Sequence, residues 1–541
     1  MLIVFLLCFS ISYPFFIPVS TSNISYCPPS EVDFSNGKNL VIVVYNSLGW
    51  IREDVIRIPV INENVVVRDS NGKEIESQLL PLLNVSVAIR NYHVTAYLGK
   101  PPRVRPSYWL AFSATVPPLG FSTYIVSYTK RAAATSERQT EYKSESNQND
   151  AIEVGPGNLK LIYSGKEGKL TQYINSRSLV KASVQQSYSF YSGDDGHVDS
   201  QASGAYIFRP NGTYPIKSEG KVPLTVLRGP LLDEVHQRIN PWIYQITRVN
   251  KVKEHAEVEF TVGPIPVDDG IGKEIATQII TELKSNKKVY TDSSGRDFIE
   301  RIRDYRKDWD LEVNQPIAGN YYPINLGAYI KDDSTELSVL VDRSVGGASI
   351  VDGQLELMLH RRLIADDSRG VGEALNETVC IPTECTGLTI VGKYYLRIDP
   401  LGEGAKWRRS FGQEIYSPFL LAFTEQDGDD WTKSHIPTFS GMAPSYILPD
   451  NVAIITLQEL ENGKVLLRLA HLYEIGEDKD LSVMASVELK KVFPKKKVKA
   501  IINHDDKKIT EMSLSANQGR TEMEKKRLVW KVEGSSKDPR Y

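Results

Sequence analysis

Short stretches in which apolar residues fall at every second position recur along this chain, each closed off by Gly, Asn, Asp or Pro. Leu159, Leu161 and Tyr163 form one; Val258, Phe260 and Val262 another; Leu337, Val339 and Val341 a third. Leu355, Leu357 and Leu359 alternate with Glu356, Met358 and His360, and Val465, Leu467 and Leu469 with Leu466, Arg468 and Ala470. A period of two places successive side chains on opposite faces of a strand. Repeated between turn residues, it predicts an all-β chain built of several β-sandwich domains. The continuous run Leu40 to Tyr45 (LVIVVY) predicts a strand buried on both faces. From Gly272 to Leu283 two periods compete: Ile275, Ile279 and Leu283 fit a helix face, whereas the alternation with Thr277 and Thr281 favours a strand. The charge pattern of Phe298 to Trp309 (FIERIRDYRKDW) suits a helix, and no helix of useful length is predicted within 27–130.

A chain of 541 residues is long enough for two to four domains with their own cores. Residues 1–22 are largely apolar and uncharged, and Pro14 and Pro18 argue against a membrane span. They read either as a signal-like segment or as the product of an alternative start. Residues 23–130 read as a first β-domain. Residues 131–150, almost free of large apolar groups, read as an exposed, protease-sensitive linker. Residues 151–385 read as a large β-sandwich and 386–541 as a C-terminal β-domain. The formal net charge of −3 gives no reason to expect nucleic-acid binding. The basic run Lys490 to Lys499 reads as a strand edge guarded by lysine rather than as a site for an anionic partner.

Four N-x-S/T triplets, at Asn23, Asn84, Asn211 and Asn376, are candidate glycosylation sites and fit a secretory-pathway lumen. Cys380 and Cys385 bracket a proline turn short enough to close a small disulfide loop in an oxidising compartment. Cys8 falls in the apolar leader, and Cys27 is then an odd thiol.

Catalytic chemistry is hard to find. The adjacent aspartates Asp194-Asp195, Asp332-Asp333, Asp366-Asp367 and Asp429-Asp430 sit in contexts where aspartate forms turns. His197-Val198-Asp199 has the look of half a zinc site but lies in a polar turn, and the other histidines lack partners at ligand spacing. No phosphate-binding loop, nucleophile elbow or dinucleotide fingerprint is present. No catalytic residue and no metal ligand is therefore predicted. The stretch Asp342 to Glu377 is the densest mixture of strand pattern, glycine and charge. Its Asp366-Asp367-Ser368-Arg369-Gly370 segment combines two carboxylates, a guanidinium and a permissive glycine, enough to present charge to a polar partner or merely to pair internally.

Six segments carry a resemblance: SGAYIFRPNGTYP (Ser203 to Pro215), VGPIPV (Val262 to Val267), YTDSSGRDFIERIRDYR (Tyr290 to Arg306), GNYYPIN (Gly319 to Asn325), the DDSRG loop, and VLLRLAHLYEIGED (Val465 to Asp478). In this order they resemble the C-terminal half of the lysosomal or plant vacuolar α-mannosidases of glycoside hydrolase family 38. The resemblance runs from about Asn23 to the C-terminus. It implies retaining, zinc-dependent hydrolysis of terminal α-mannosyl residues of N-glycan-type oligosaccharides in the intact family. It also implies a lysosomal, vacuolar or extracellular location. The family's zinc-binding, nucleophile-bearing domain is expected ahead of Asn23, where only 22 residues stand. The family's partner for Cys27 is expected there too.

By the same resemblance, Tyr206 and Arg369 are expected to bind substrate: a ring face with one hydroxyl, and a guanidinium with five fixed donors, both suited to a polyhydroxylated sugar. The competing readings are a core tyrosine and an arginine paired to Asp366 or Asp367. The implied partners are mannose-containing glycans and the family's catalytic domain, and self-association into a homo-oligomer stays open. Zinc is implied for the intact family and for no residue of this chain. The alternative function is a stand-alone, non-catalytic β-sandwich that binds glycans or serves structurally.

Overall fold

The structure, a computed structural model, describes residues 26–529 except 38, 131–136, 141–150, 198–199, 217–219, 382, 426–427, 462–463 and 496–508. Strands dominate it, as the alternating pattern predicts. Two large antiparallel sheets, one of ten and one of nine strands, face each other. Their shared core takes Leu355 and Leu357 from one sheet and Leu337, Val339 and Tyr394 from the other. The predicted inner-face residues Leu355, Leu357 and Leu359 are all buried. The ambiguous 272–283 stretch is a strand, Lys273–Thr281, beside Gln354–Arg362 in the nine-stranded sheet.

Both of these strands are buried on their outer face as well, where Glu274, Ala276 and Glu356 are almost fully covered. The cover comes from loops that include 200–209 and 318–325, through hydrogen bonds from Ser203 to Glu274 and from Tyr321 to Glu356. An outer face with polar side chains under a lid of loops is where this fold can place a site.

A smaller sandwich precedes the large one. Its five-stranded sheet contains Leu40–Asn46, Val65–Asp69 and Gly120–Tyr128, and its three-stranded sheet contains Arg52–Val60, Ser77–Pro81 and Tyr108–Val116. Ile42, Val44, Ile56, Ile58, Leu110 and Phe112 share its core. Cys27 is fully buried in that core. The small sandwich leans on the large one through Val55, Leu80, Leu231 and Leu232. A buried charge network completes the seam: Arg57 meets Glu234 at 3.3 Å and Glu257 at 2.9 Å.

Three expectations fail. The 27–130 region does contain a helix, α1 (Asn84–Leu98). Its β-branched residues Val85, Val87, Ile89, Val94 and Thr95 disfavour a helix intrinsically. Tertiary contacts override that: Val87, Arg90 and Val94 face inward, Arg90 pairs with buried Glu31 at 2.6 Å, and Gly99 at φ 69° closes the end. In the reverse sense, Phe298–Trp309 is not helical. Asp297–Ile302 is a strand at the edge of the ten-stranded sheet, in register with Lys288–Ser293. The last region, read as β, also contains a helix, α2 (Gly404–Tyr416), whose Trp407 and Phe411 pack on Leu326, Leu340 and Tyr395.

Sheet pairings also run across the expected division after residue 385. Ile390–Pro400 lies inside the ten-stranded sheet, between Thr335–Val341 and Ala256–Val262. Leu420–Glu425 returns to the small sandwich and pairs with Leu40–Asn46. Of the expected linker, 137–140 form a strand at the edge of the ten-stranded sheet, and the rest lies outside the described residues. No helix among the described residues is long and apolar enough to cross a membrane; the apolar leader lies outside them.

Candidate functional site

Strand register sets the floor of the site. Gln354–Arg362 pairs regularly with Lys273–Thr281 until a one-residue shift between Ile275 and Ala276. In an unbroken strand, residue 361 would share the inner face with Leu355, Leu357 and Leu359. The bulge moves Arg361 to the outer face, directly opposite Glu274, as bulges do near functional loops. The Arg361 guanidinium donates through Nε at 2.9 Å and Nη2 at 2.5 Å to the same Glu274 oxygen. Glu274 is fully buried, and burial pushes its carboxyl above the usual value against the pull of Arg361. Its Oε2 has no hydrogen-bond partner among the described residues.

Above this pair sits the loop 203–207. Arg361 donates to the carbonyls of Ala205 at 3.4 Å and Ile207 at 3.0 Å, on either side of Tyr206. The Gly204 N–H donates to Ile207 O at 3.0 Å and closes the loop on itself. Ser203 donates to Glu274 and accepts the Arg209 N–H at 2.8 Å. Downstream, Phe208 packs edge-on against Tyr321 at 4.8 Å and Tyr191 at 5.4 Å. Both tyrosine hydroxyls donate to Glu356 at 2.5 Å, and burial followed by the Glu356 charge holds both phenols above their ordinary value.

The second loop, 366–370, is joined to the first by one carboxylate. Asp367 is 1% exposed, and its Oδ2 accepts the backbone N–H of Tyr206 at 2.7 Å and of Ile207 at 2.9 Å. Its Oδ1 accepts the Arg369 N–H at 3.2 Å. Burial pushes the Asp367 carboxyl up, but the amides of Ile207, Tyr206 and Arg369 and the charge of Arg361 outweigh it, leaving the group below the usual Asp value. Gln201 bridges the loops a second time: its amide donates to Asp367 O at 3.1 Å, and its Oε1 accepts from the Arg369 guanidinium.

The two expected substrate-binding residues are thus brought together across 163 positions of sequence. Tyr206 is 67% exposed, so it is not a core tyrosine. Arg369 is exposed; its side chain bonds Gln201, and it is its backbone, not its guanidinium, that meets Asp367. What results is an exposed tyrosine and an exposed arginine on two loops whose backbones share the Asp367 carboxylate. Sequence reasoning gave Asp367 a turn, a charge to present or a pairing with Arg369, and passed over Arg361, Glu274 and Gln201 as site residues. Apart from the resemblance, nothing in the sequence links positions 201–207 to 361–369.

The other candidates fall elsewhere. Cys380 and Cys385 stand opposite each other in the hairpin Thr378–Ile381/Glu384–Gly387 and form a disulfide. Asn84 is the exposed first residue of α1, Asn211 is exposed on the strand Pro210–Pro215, and Asn376 is exposed with its Oδ1 accepting from Arg362 at 2.7 Å. Asn23 lies outside the described residues. Asp194 and Asp332 hold turns, accepting the N–H of Gly196 at 2.8 Å and of Ser334 at 2.9 Å. The His197 side chain is 87% exposed, and Val198 and Asp199 lie outside the described residues. Among the described residues no three of His, Cys, Asp or Glu converge, so these residues do not offer a zinc ion the three or four donors it needs.

Residues 154–369 match the glycosyl hydrolases family 38 C-terminal domain, and residues 75–126 match the lysosomal alpha-mannosidase-like central domain. The chain is 62% identical over 517 residues to a probable alpha-mannosidase of Arabidopsis thaliana, covering 95% of this chain and 50% of that protein. It is 50% identical over 518 residues to the alpha-mannosidase of Canavalia ensiformis, covering 95% and 51%. With the lysosomal alpha-mannosidase of Homo sapiens it shares 35% identity over 471 residues, covering 86% and 44%. The chain thus spans about half the length of the curated relatives it matches. A crystal structure of an alpha-mannosidase from Enterococcus faecalis superposes with a TM-score of 0.51 at 12% identity, covering 84% of this chain and 52% of that one, a likeness of fold alone. By these two matches the chain carries a glycosyl hydrolases family 38 C-terminal domain, preceded by a lysosomal alpha-mannosidase-like central domain.

Proposed function

We propose that this chain is the sugar-gripping β-sandwich portion of a lysosomal- or vacuolar-type α-mannosidase. In this reading Tyr206 and Arg369 contact the hydroxyls of a terminal α-mannosyl residue on an N-glycan-type oligosaccharide. The observation that carries it is the meeting of the two loops: an exposed tyrosine and an exposed arginine whose backbone N–H groups share the Asp367 carboxylate. A sugar recognised by donors already in place costs less ordering entropy on binding. The retaining chemistry, its nucleophile and its zinc are assigned to the family's catalytic domain, for which this chain is the partner. The compartment is a lysosomal, vacuolar or extracellular lumen, where sequons at Asn84, Asn211 and Asn376 are accessible for glycosylation.

The test uses the chain joined to the residues that precede the match in the Arabidopsis relative. Arg369→Ala lowers α-mannoside hydrolysis per folded molecule by roughly 5- to 150-fold, because removing a donor to a buried hydroxyl costs about 1–3 kcal/mol. Unchanged turnover would make the loop structural. The 541-residue chain alone is expected not to hydrolyse a chromogenic α-mannoside at acidic pH with added zinc. Turnover abolished by chelation would show a complete site in this chain.

A further inference from the structure

Tyr206 owes its place to hydrogen bonds made by its backbone and by the carbonyls on either side of it. The peptide unit before it is held at both ends, and the one after it through its N–H. The Ala205 and Ile207 carbonyls accept from Arg361, and the Tyr206 and Ile207 amides donate to Asp367. Asp367 also receives the Arg369 amide, so a single carboxylate sets both loops. Arg361 in turn is anchored to fully buried Glu274 and placed on the outer face by the strand bulge. A Cβ on Gly204 would stand 2.6 Å from Asp367 Cβ, Cγ and N, so only glycine lets the carboxylate come this close. Tyr206 itself is 67% exposed, so side-chain packing cannot be what holds it.

We infer that Asp367 is the positioning residue of the sugar site, fixing Tyr206 and Arg369 relative to each other through their backbones, with Arg361–Glu274 as its counterpart below the loop. This rests on the sugar-binding reading of Tyr206 and Arg369. The recognised chemistry is a polyhydroxylated pyranose. One hydroxyl answers the phenol and one the guanidinium, so the spacing between the two side chains is the specificity element, and Asp367 sets that spacing. Asn at 367 cannot do the same. It has one acceptor oxygen for three amides, and its NH2 group meets at least one of those N–H donors head-on.

The experiment uses the full 541-residue chain with two readouts. Amide exchange by mass spectrometry is followed at 203–208 and, as control, at 54–60 of the small sandwich. Asp367→Asn speeds exchange at 203–208 by about tenfold or more and leaves 54–60 unchanged, as expected for local rather than global opening. Methyl α-mannoside affinity is followed by ligand-observed NMR in a double-mutant cycle with Tyr206→Ala. Asp367→Asn weakens binding by about five- to tenfold in the wild-type background and has little further effect once Tyr206 is gone, the non-additivity expected of residues acting through one another. A merely structural role would give additive losses and faster exchange at both peptides. Unchanged exchange at 203–208, or additive losses, overturns the inference. If the wild-type chain shows no mannoside binding while Asp367→Asn still loosens 203–208 alone, the sugar reading fails and the positioning of the two loops by Asp367 stands.

Discussion

Gly204 and Asp367 are so close that a Cβ built on the glycine would lie 2.6 Å from the aspartate's Cβ and from its backbone nitrogen. The neighbour it would strike includes backbone, so the contact cannot be relieved by swinging a flexible side-chain end aside. Gly204→Ala is expected to push the two loops apart and to destabilise the large sandwich by about 1–3 kcal/mol, the usual range for overpacking. Denaturant unfolding reads the loss, and mannoside binding reads the separation of Tyr206 from Arg369. An alanine variant with wild-type stability and affinity would show that the loops tolerate a wider gap.

The pH response of the site has two parts of opposite sign. Asp367 has a folded pKa below its ordinary 3.8. Its contribution to stability is therefore present above pH 3.8 and lost as pH falls through the lower folded value. Glu274 has a folded pKa above its ordinary 4.5, burial being the main cause. Its contribution is complete below pH 4.5 and lost as pH rises through the folded value. Melting temperatures of wild type and Glu274→Gln, compared from neutral pH downward, should show the wild type gaining on the variant as pH falls toward 4.5. The wild type should hold its advantage over Asp367→Asn down to about pH 4 and lose it only below. Parallel curves for either pair would refute the corresponding assignment.

Arg57 ties the two sandwiches together. Its side chain is 7% exposed and meets Glu234 and Glu257, while Arg248 meets the same two carboxylates and Glu259. Burial would raise the carboxyl of Glu257, yet Lys393, Arg57 and Arg248 hold it well below its ordinary value. Removing one partner from such a buried network leaves charge uncompensated, and Arg57→Ala is expected to cost about 3–5 kcal/mol. The urea midpoint measures it. A loss under about 1 kcal/mol, the range of an exposed pair, would mean that Arg248 and Lys393 absorb the freed carboxylates.

The disulfide contributes modestly. Cys380 and Cys385 are exposed and only five positions apart. Closing so short a loop removes little unfolded-chain entropy, about 2 kcal/mol on the chain-entropy account. Replacing both cysteines by serine should lower stability by no more than that and leave mannoside binding unchanged. Non-reducing peptide mapping checks the pairing, and a bridge from Cys27 to either cysteine would contradict it.

Strand periodicity is a local property, so the sequence alone carried the all-β class, the buried alternation of Leu355, Leu357 and Leu359, and the strand at 273–281, where threonines outweighed a helical spacing. Helix α1 was not legible, because its β-branched residues point to strand, and its helicity depends on Arg90 meeting Glu31, a residue 59 positions away. The strand at 297–302 was misread for a related reason: at an exposed sheet edge, charged side chains mimic a solvated helix face. Tyr206 and Arg369 could be named from their motifs, but what joins their loops could not. That junction arises from a strand bulge that turns Arg361 outward, a glycine that admits Asp367, and one carboxylate whose three amide partners come from two distant loops. Periodicity records which face of a strand a residue takes. Which loops then close over that face is decided by long-range pairing and by the need to satisfy every buried polar group, and that information exists only once the chain has folded.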